Sequence, residues 1–195
     1  MSAGRPATIA LAWGLGGGIV ASLVLIVPHL AGAAPASRLA DYGALAAGLL
    51  AVQLGLGASA RPAAAFRERM QCATVVAVTV SVITGLAAYL LFAVLRPTLL
   101  AIRFAAQQRA AAGSMSGAPR GARELASLAA HKAQYLDPLF QSVSTAATLL
   151  FFGLLLGAYG AWRVHVASRL QPPPARAGLT GPRISAKGDR SSPRR

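Results

Sequence analysis

Acidic residues are scarce in this chain. Asp41, Glu68, Glu124, Asp137 and Asp189 are the only carboxylates among 195 residues, and His29, His131 and His165 are scattered. General acid–base catalysis needs carboxylates or imidazoles placed against one another, and no Ser or Cys sits in a recognisable nucleophile motif. The chain therefore reads as non-enzymatic. No His–acid pair stands at ligand spacing, so neither metal nor cofactor is expected. Coupled ion transport usually places a carboxylate within a span, and none occurs in the longest uncharged stretches. The single cysteine, Cys72, excludes an intrachain disulfide.

Charge of either sign is short. Charged residues make up 12% of the chain, against roughly 25% in soluble domains. Hydrophobic residues make up 55%, with a mean hydropathy of +0.54. The shortage is uneven: residues 6–37, 42–60, 70–95 and 138–162 contain no Asp, Glu, Lys or Arg. Each stretch can hold the ~20 apolar residues that cross a bilayer. The expected fold is an all-α integral membrane protein, a four-helix transmembrane bundle occupying 1–168. Its spans are placed at about 9–31, 40–60, 72–95 and 142–164. The rival reading of the first span, a secretory signal cleaved near "AGAAPAS", would leave three spans.

The connection 96–141 is long and interrupted by "GSMSGAPRG". Beyond that break Leu125, Leu128 and Leu136 share a helical face, which predicts an amphipathic helix on the membrane surface or capping the bundle. Asp137-Pro138 predicts the start of the last helix, because an aspartate caps free N–H groups and proline suits the first helical position. Residues 169–195 contain few large apolar side chains and read as a disordered basic tail.

The net charge is +14, and 17 of the 19 basic residues are arginine. Together with the abundance of alanine this points to a GC-rich bacterial genome. Basic residues gather in loops retained on the cytoplasmic side. Arg61, Arg67 and Arg69 between spans two and three, with Arg163, Arg169 and Arg176 after span four, place both termini in the cytoplasm of a multi-pass inner-membrane protein. Arg96, Arg103, Arg109, Arg120, Arg123 and Lys132 in the long connection oppose that orientation. Arg67, Arg69, Arg163 and Arg169 are the candidates for contact with anionic lipid headgroups. No aromatic or folded reader accompanies the charge, so nucleic acid is not expected as a partner.

Glycine is where the sequence is rich. "WGLGGGIVASLVLIV", residues 13–27, lacks the GxGxxG spacing of a dinucleotide loop. It does fit a small-residue stripe, Gly14, Gly18 and Ala21, that lets helices approach closely in lipid. Gly48 and Gly55 continue the pattern in span two with Ala44, Ala51 and Ala58. Span three carries Thr74, Val78, Ser81, Gly85 and Ala88. Span four carries Ala146, Gly153, Gly157 and Gly160. These stripes predict the bundle seam, with Gly153 and Gly157 also offering a face for a homodimer or a larger membrane complex. Hydroxyls in the spans are expected to bond back to their own helix. Gln53 is the exception, a mid-span amide that needs a partner across the bundle, such as a span-three hydroxyl; Ser81 is the second candidate for an intramembrane polar contact. His29 is expected at the interface, and Cys72 as an inert thiol at the end of span three.

The order of these features, from "LAWGLGGGIV" through "LADYGALAAGLLAVQLGLGA", "AAAFRERMQCATVVAV" and "AAYLLFAVLRPTLL" to "YLDPLFQSVSTAATLLFFGLLLGAYGAWRVH", resembles a bacterial four-span membrane family, domain of unknown function 4199. The similarity covers roughly residues 8 to 168. Gly14, Phe66, Pro97, Pro138, Gly153 and Gly157 fall at its matching positions. It implies the four-span architecture and no activity, cofactor or site. Two functions remain: an accessory or structural membrane subunit acting by helix packing, or a small-solute carrier or pore lined by Gln53 and the span-three hydroxyls.

Overall fold

The computed structural model describes residues 5–32, 34, 37–59, 65–113 and 119–170; of the expected tail, 169–195, residues 169 and 170 belong to the last helix and the rest lie outside the described residues. The described chain is all α. Helix α1 covers Arg5–Leu30, α2 Leu39–Ser59 and α3 Phe66–Leu90, which continues through a wide turn at Leu91–Leu95. Short helices follow, α4 (Leu99–Gly113), α5 (Pro119–Ala130) and α6 (Lys132–Leu136), before the long α7 (Pro138–Leu170). In hydrocarbon no water satisfies backbone groups, so each apolar segment closes its own hydrogen bonds as a helix.

Four helices are long and apolar enough to cross a membrane: Pro6–Leu30, Leu39–Ser59, Phe66–Leu95 and Pro138–Ala167. The third and fourth helices outrun the uncharged stretches. Arg67, Glu68 and Arg69 form the first turn of α3, and α7 carries Arg163 and beyond. Charge limits what sits in hydrocarbon; it does not end a helix that extends past it.

Each terminus has a local cause. Pro28 lies near the end of α1, and Gly32, with φ of 87°, is the described residue that takes up the left-handed conformation after it. The Ser37 hydroxyl accepts the Leu39 N–H at the start of α2. Asp137 accepts the Leu139 N–H at 2.8 Å, so the Asp-Pro start signal operates as expected. At the end of α3 the Arg96 N–H reaches the Leu91 carbonyl, five residues back, and Pro97 then supplies no donor to continue the helix.

Helix α3 is the axis of the bundle. Of its apolar window 56% is buried, against 17% for α7. The core is built of small and β-branched side chains, Ala51, Val52, Val76, Ala77 and Val80, with Cys72 among them. Lipid tails are as apolar as leucine, so association rests on close packing rather than on escape from water. The glycines provide it. A Cβ at Gly17 would collide with the Ala51 Cβ; at Gly14 it would stand 2.7 Å from Thr79, and at Gly18 2.9 Å from Ile83. At Gly85 it would meet Ala146 at 2.9 Å, and at Gly157 Ala73 at 2.7 Å.

Two expectations are corrected by this packing. Gly153 and Gly157 face Ala77 and Ala73 of α3, so they serve the interior of the chain and not a dimer face. In α3 Ser81, Gly85 and Ala88 of the expected stripe are buried, but Thr74 and Val78 are exposed, and the buried face also takes in Ala73, Val76, Ala77, Val80 and Thr84. Periodicity located the stripe within a residue, but the neighbours on both sides of α3 widen its buried face.

The long connection folds back as a cap. Phe104 and Ala111 of α4 bury Leu128 of α5, with Leu125, Tyr135 and Leu136 packed against them. Of the two expectations for this amphipathic segment, the structure shows the cap. The apolar face meets α4, and the helix breaks at His131.

Candidate functional site

Polar side chains converge at the capped end. His29 closes α1, Asp41 lies in the first turn of α2, Arg96 follows the wide turn, and Arg103 is one turn into α4. The Arg103 guanidinium meets Asp41 through two nitrogens, Nη1 to Oδ2 and Nη2 to Oδ1, each at 3.1 Å. Such forked pairing fixes both position and plane. Arg103 Nη2 also stands 3.0 Å from His29 Nε2, and the Phe92 ring lies beneath the guanidinium at 5.6 Å. Arg96 Nη2 donates to the His29 carbonyl at 2.7 Å.

A guanidinium only donates. Its approach to Nε2 therefore makes that nitrogen an acceptor and assigns the ring proton to Nδ1. His29 is 3% exposed, and Nδ1 has no hydrogen-bond partner among the described residues. His29 stands at the end of the first span, and its ring is buried under Arg96 and Arg103, which return over it from a connection whose path the sequence did not reveal.

Beside this cluster lies a cavity of about 620 Å³ between α2, α7 and the cap. Asp41, Arg103 and Arg38 line it together with Leu45, Phe92 and Leu149. A volume of this size suits a small organic ligand. A second hollow, about 410 Å³ between α1 and α2, is lined by Trp13, Gly16, Val20, Leu50 and Leu54 and is apolar throughout.

The residues singled out from sequence fall elsewhere. Gln53 Nε2 donates to the Leu156 carbonyl of α7 at 2.9 Å, not to an α3 hydroxyl. Gly160 makes room for the Gln53 side chain, since a Cβ there would stand 3.2 Å from its Oε1. Ser81 donates to the Ala77 carbonyl of its own helix at 2.7 Å, and Ser22, Thr74, Thr79, Thr145 and Thr148 bond back in the same way. Gly48 accommodates Leu149, and Gly55 accommodates Trp13 and Val76.

Of the headgroup candidates, Arg67 is exposed and Arg163 is exposed with its guanidinium 6.0 Å from the Tyr159 ring. Arg69 is only 7% exposed, so it is buried where a free cation was expected. The Arg169 side chain lies outside the described residues. The rings of Phe66 and His165, 6.4 Å apart, place the start of α3 and the end of α7 together at the end opposite the cap.

The cluster at the capped end was missed. One signal was present: Arg96 and Arg103 are seven residues apart, and Asp41 stands alone at the edge of an uncharged stretch.

No family model, curated protein or solved structure matches the chain. Fold and site together define a multi-pass membrane protein: four long apolar helices packed into one body, with a polar cluster and cavity beneath a helical cap.

Proposed function

We propose that this chain is a non-catalytic accessory protein of a bacterial inner membrane, both termini cytoplasmic, that works by binding and does not conduct solute. The resemblance to the four-span family of domain of unknown function 4199 belongs to this reading. One observation carries it: Gln53 and the neighbouring span-three hydroxyls are committed within the packed seam, and Thr84, whose hydroxyl makes no hydrogen bond among the described residues, is fully enclosed by it. Gln53 gives its amide to Leu156, and Thr79 and Ser81 give their hydroxyls to their own helix. Below the cavity, Leu149 fills the space at Gly48, and Gly153 and Gly157 bring α7 onto α3. What remains for a ligand or a partner subunit is the capped cavity.

Flux from vesicles carrying the purified protein tests this reading. Vesicles loaded with small dyes and ions should leak no faster than protein-free vesicles, with or without Gln53→Leu. Specific flux that Gln53→Leu abolishes would establish the carrier reading instead.

A further inference from the structure

The cavity is graded along the helix axes. At the cap end its wall carries Arg38, Asp41 and Arg103; one turn further into α2 stands Leu45, and the α7 wall runs from Gln141 past Ser144, Thr145 and Thr148, the two threonine hydroxyls bonded back to their own helix, to Leu149, eight residues and about 12 Å along. Phe92, whose ring lies beneath the Arg103 guanidinium, also lines the cavity. The charges are unequal. Both oxygens of Asp41 are engaged by Arg103, and Arg38 adds a second cation with no other carboxylate on the wall. The mouth also faces outward: Tyr42 of α2 and Phe140 of α7 line the cavity and are exposed on the surface of the bundle. Helices α2 and α7 close on each other only from Gly48 and Leu149 onward.

We infer that this cavity binds an anionic amphiphile, its head against Arg38 and Arg103 and its acyl chain between α2 and α7. The inference rests on the binding reading above and names its ligand class. A cationic wall in a partly enclosed, low-dielectric site favours a phosphate or carboxylate head. The apolar depth and the outward mouth suit a tail that stays continuous with the bilayer. A free anion would find the head site but nothing to fill the apolar half, and a neutral lipid would leave Arg38 unmatched.

The test uses the full chain in phosphatidylcholine vesicles doped with a phosphatidylglycerol probe that carries a photoreactive diazirine on its acyl chain. After illumination, the label should concentrate on residues 38–45 and 140–149. Unlabelled phosphatidylglycerol should displace it; phosphatidylcholine and glycerol phosphate should not. Arg38→Gln should weaken that competition about fivefold, the loss expected of one cation beside an anionic headgroup. Thr148→Phe, at an exposed position on the cavity wall, should remove most of the label while thermal stability is retained.

Label spread evenly over the lipid-facing helices, or unchanged by Thr148→Phe, overturns the site. Equal competition by phosphatidylcholine overturns the anionic head, and equal competition by glycerol phosphate overturns the acyl tail. Either of those two results leaves binding itself intact. Specific solute flux, in contrast, would remove the binding reading without altering the labelling pattern.

Discussion

Arg103 holds Asp41 through two parallel contacts of 3.1 Å, and this pair ties the cap to the start of α2. The side chains are 14% and 30% exposed, so the interaction is neither fully buried nor freely screened.

Asp41→Asn should destabilise the protein by about 2 kcal/mol, discounted from the loss of a fully buried pair because water reaches this one. Arg103→Lys should cost nearly as much, since an ammonium cannot form the fork. A double-mutant cycle on thermal unfolding in detergent should give a coupling energy well above zero. Additive losses would show that the pair is geometric and not energetic.

Seam glycines should differ sharply over short distances. Gly17→Val pushes a side chain into Ala51 of α2 and should cost on the order of 2 kcal/mol by overpacking. Gly16→Val, where an added Cβ meets nothing within 4 Å, should be neutral or slightly stabilising. The unfolding midpoints of the two variants in one detergent decide the matter.

Gln53→Leu should lower stability by about 1 kcal/mol, the net worth of one interhelical hydrogen bond. The Leu156 carbonyl keeps its place in α7, so the loss stays small. A loss several times larger would mean that Gln53 organises more than this single contact.

The cap should come away by local opening. Leu128 is buried against Phe104 and Ala111, and Leu128→Ala should cost about 2–3 kcal/mol locally. Hydrogen exchange should then quicken in α4 and α5 while α3 stays protected. Uniform acceleration through α3 would instead make the cap part of the bundle's own stability.

Cys72 is buried in the core between helices. A membrane-permeant maleimide should leave it unmodified in the folded protein and react fully after denaturation. Fast native labelling would show that the start of α3 opens readily.

Much of this protein was legible because the bilayer imposes simple rules. Long uncharged stretches became helices, Asp137-Pro138 started one, and the glycines at Gly14, Gly18, Gly48 and Gly85 lie between helices. The partner of each glycine was not legible. Gly153 and Gly157 have the spacing of a dimer contact, and nothing local distinguishes that from packing on Ala77 and Ala73. Gln53 announced a need for a partner but not the identity of Leu156.

By itself, then, the order of residues determined four helices, their approximate ends and the small faces on which they approach. Those properties depend on a solvent without hydrogen-bonding capacity and on side chains a few positions apart. The tertiary structure alone decided that the connection doubles back. That return carries Arg103 to Asp41 across 62 residues of chain and Arg96 to His29 across 67, and it encloses the cavity. Contacts at such separation depend on the angle at which one wide turn and one proline redirect the chain, which no periodic pattern encodes.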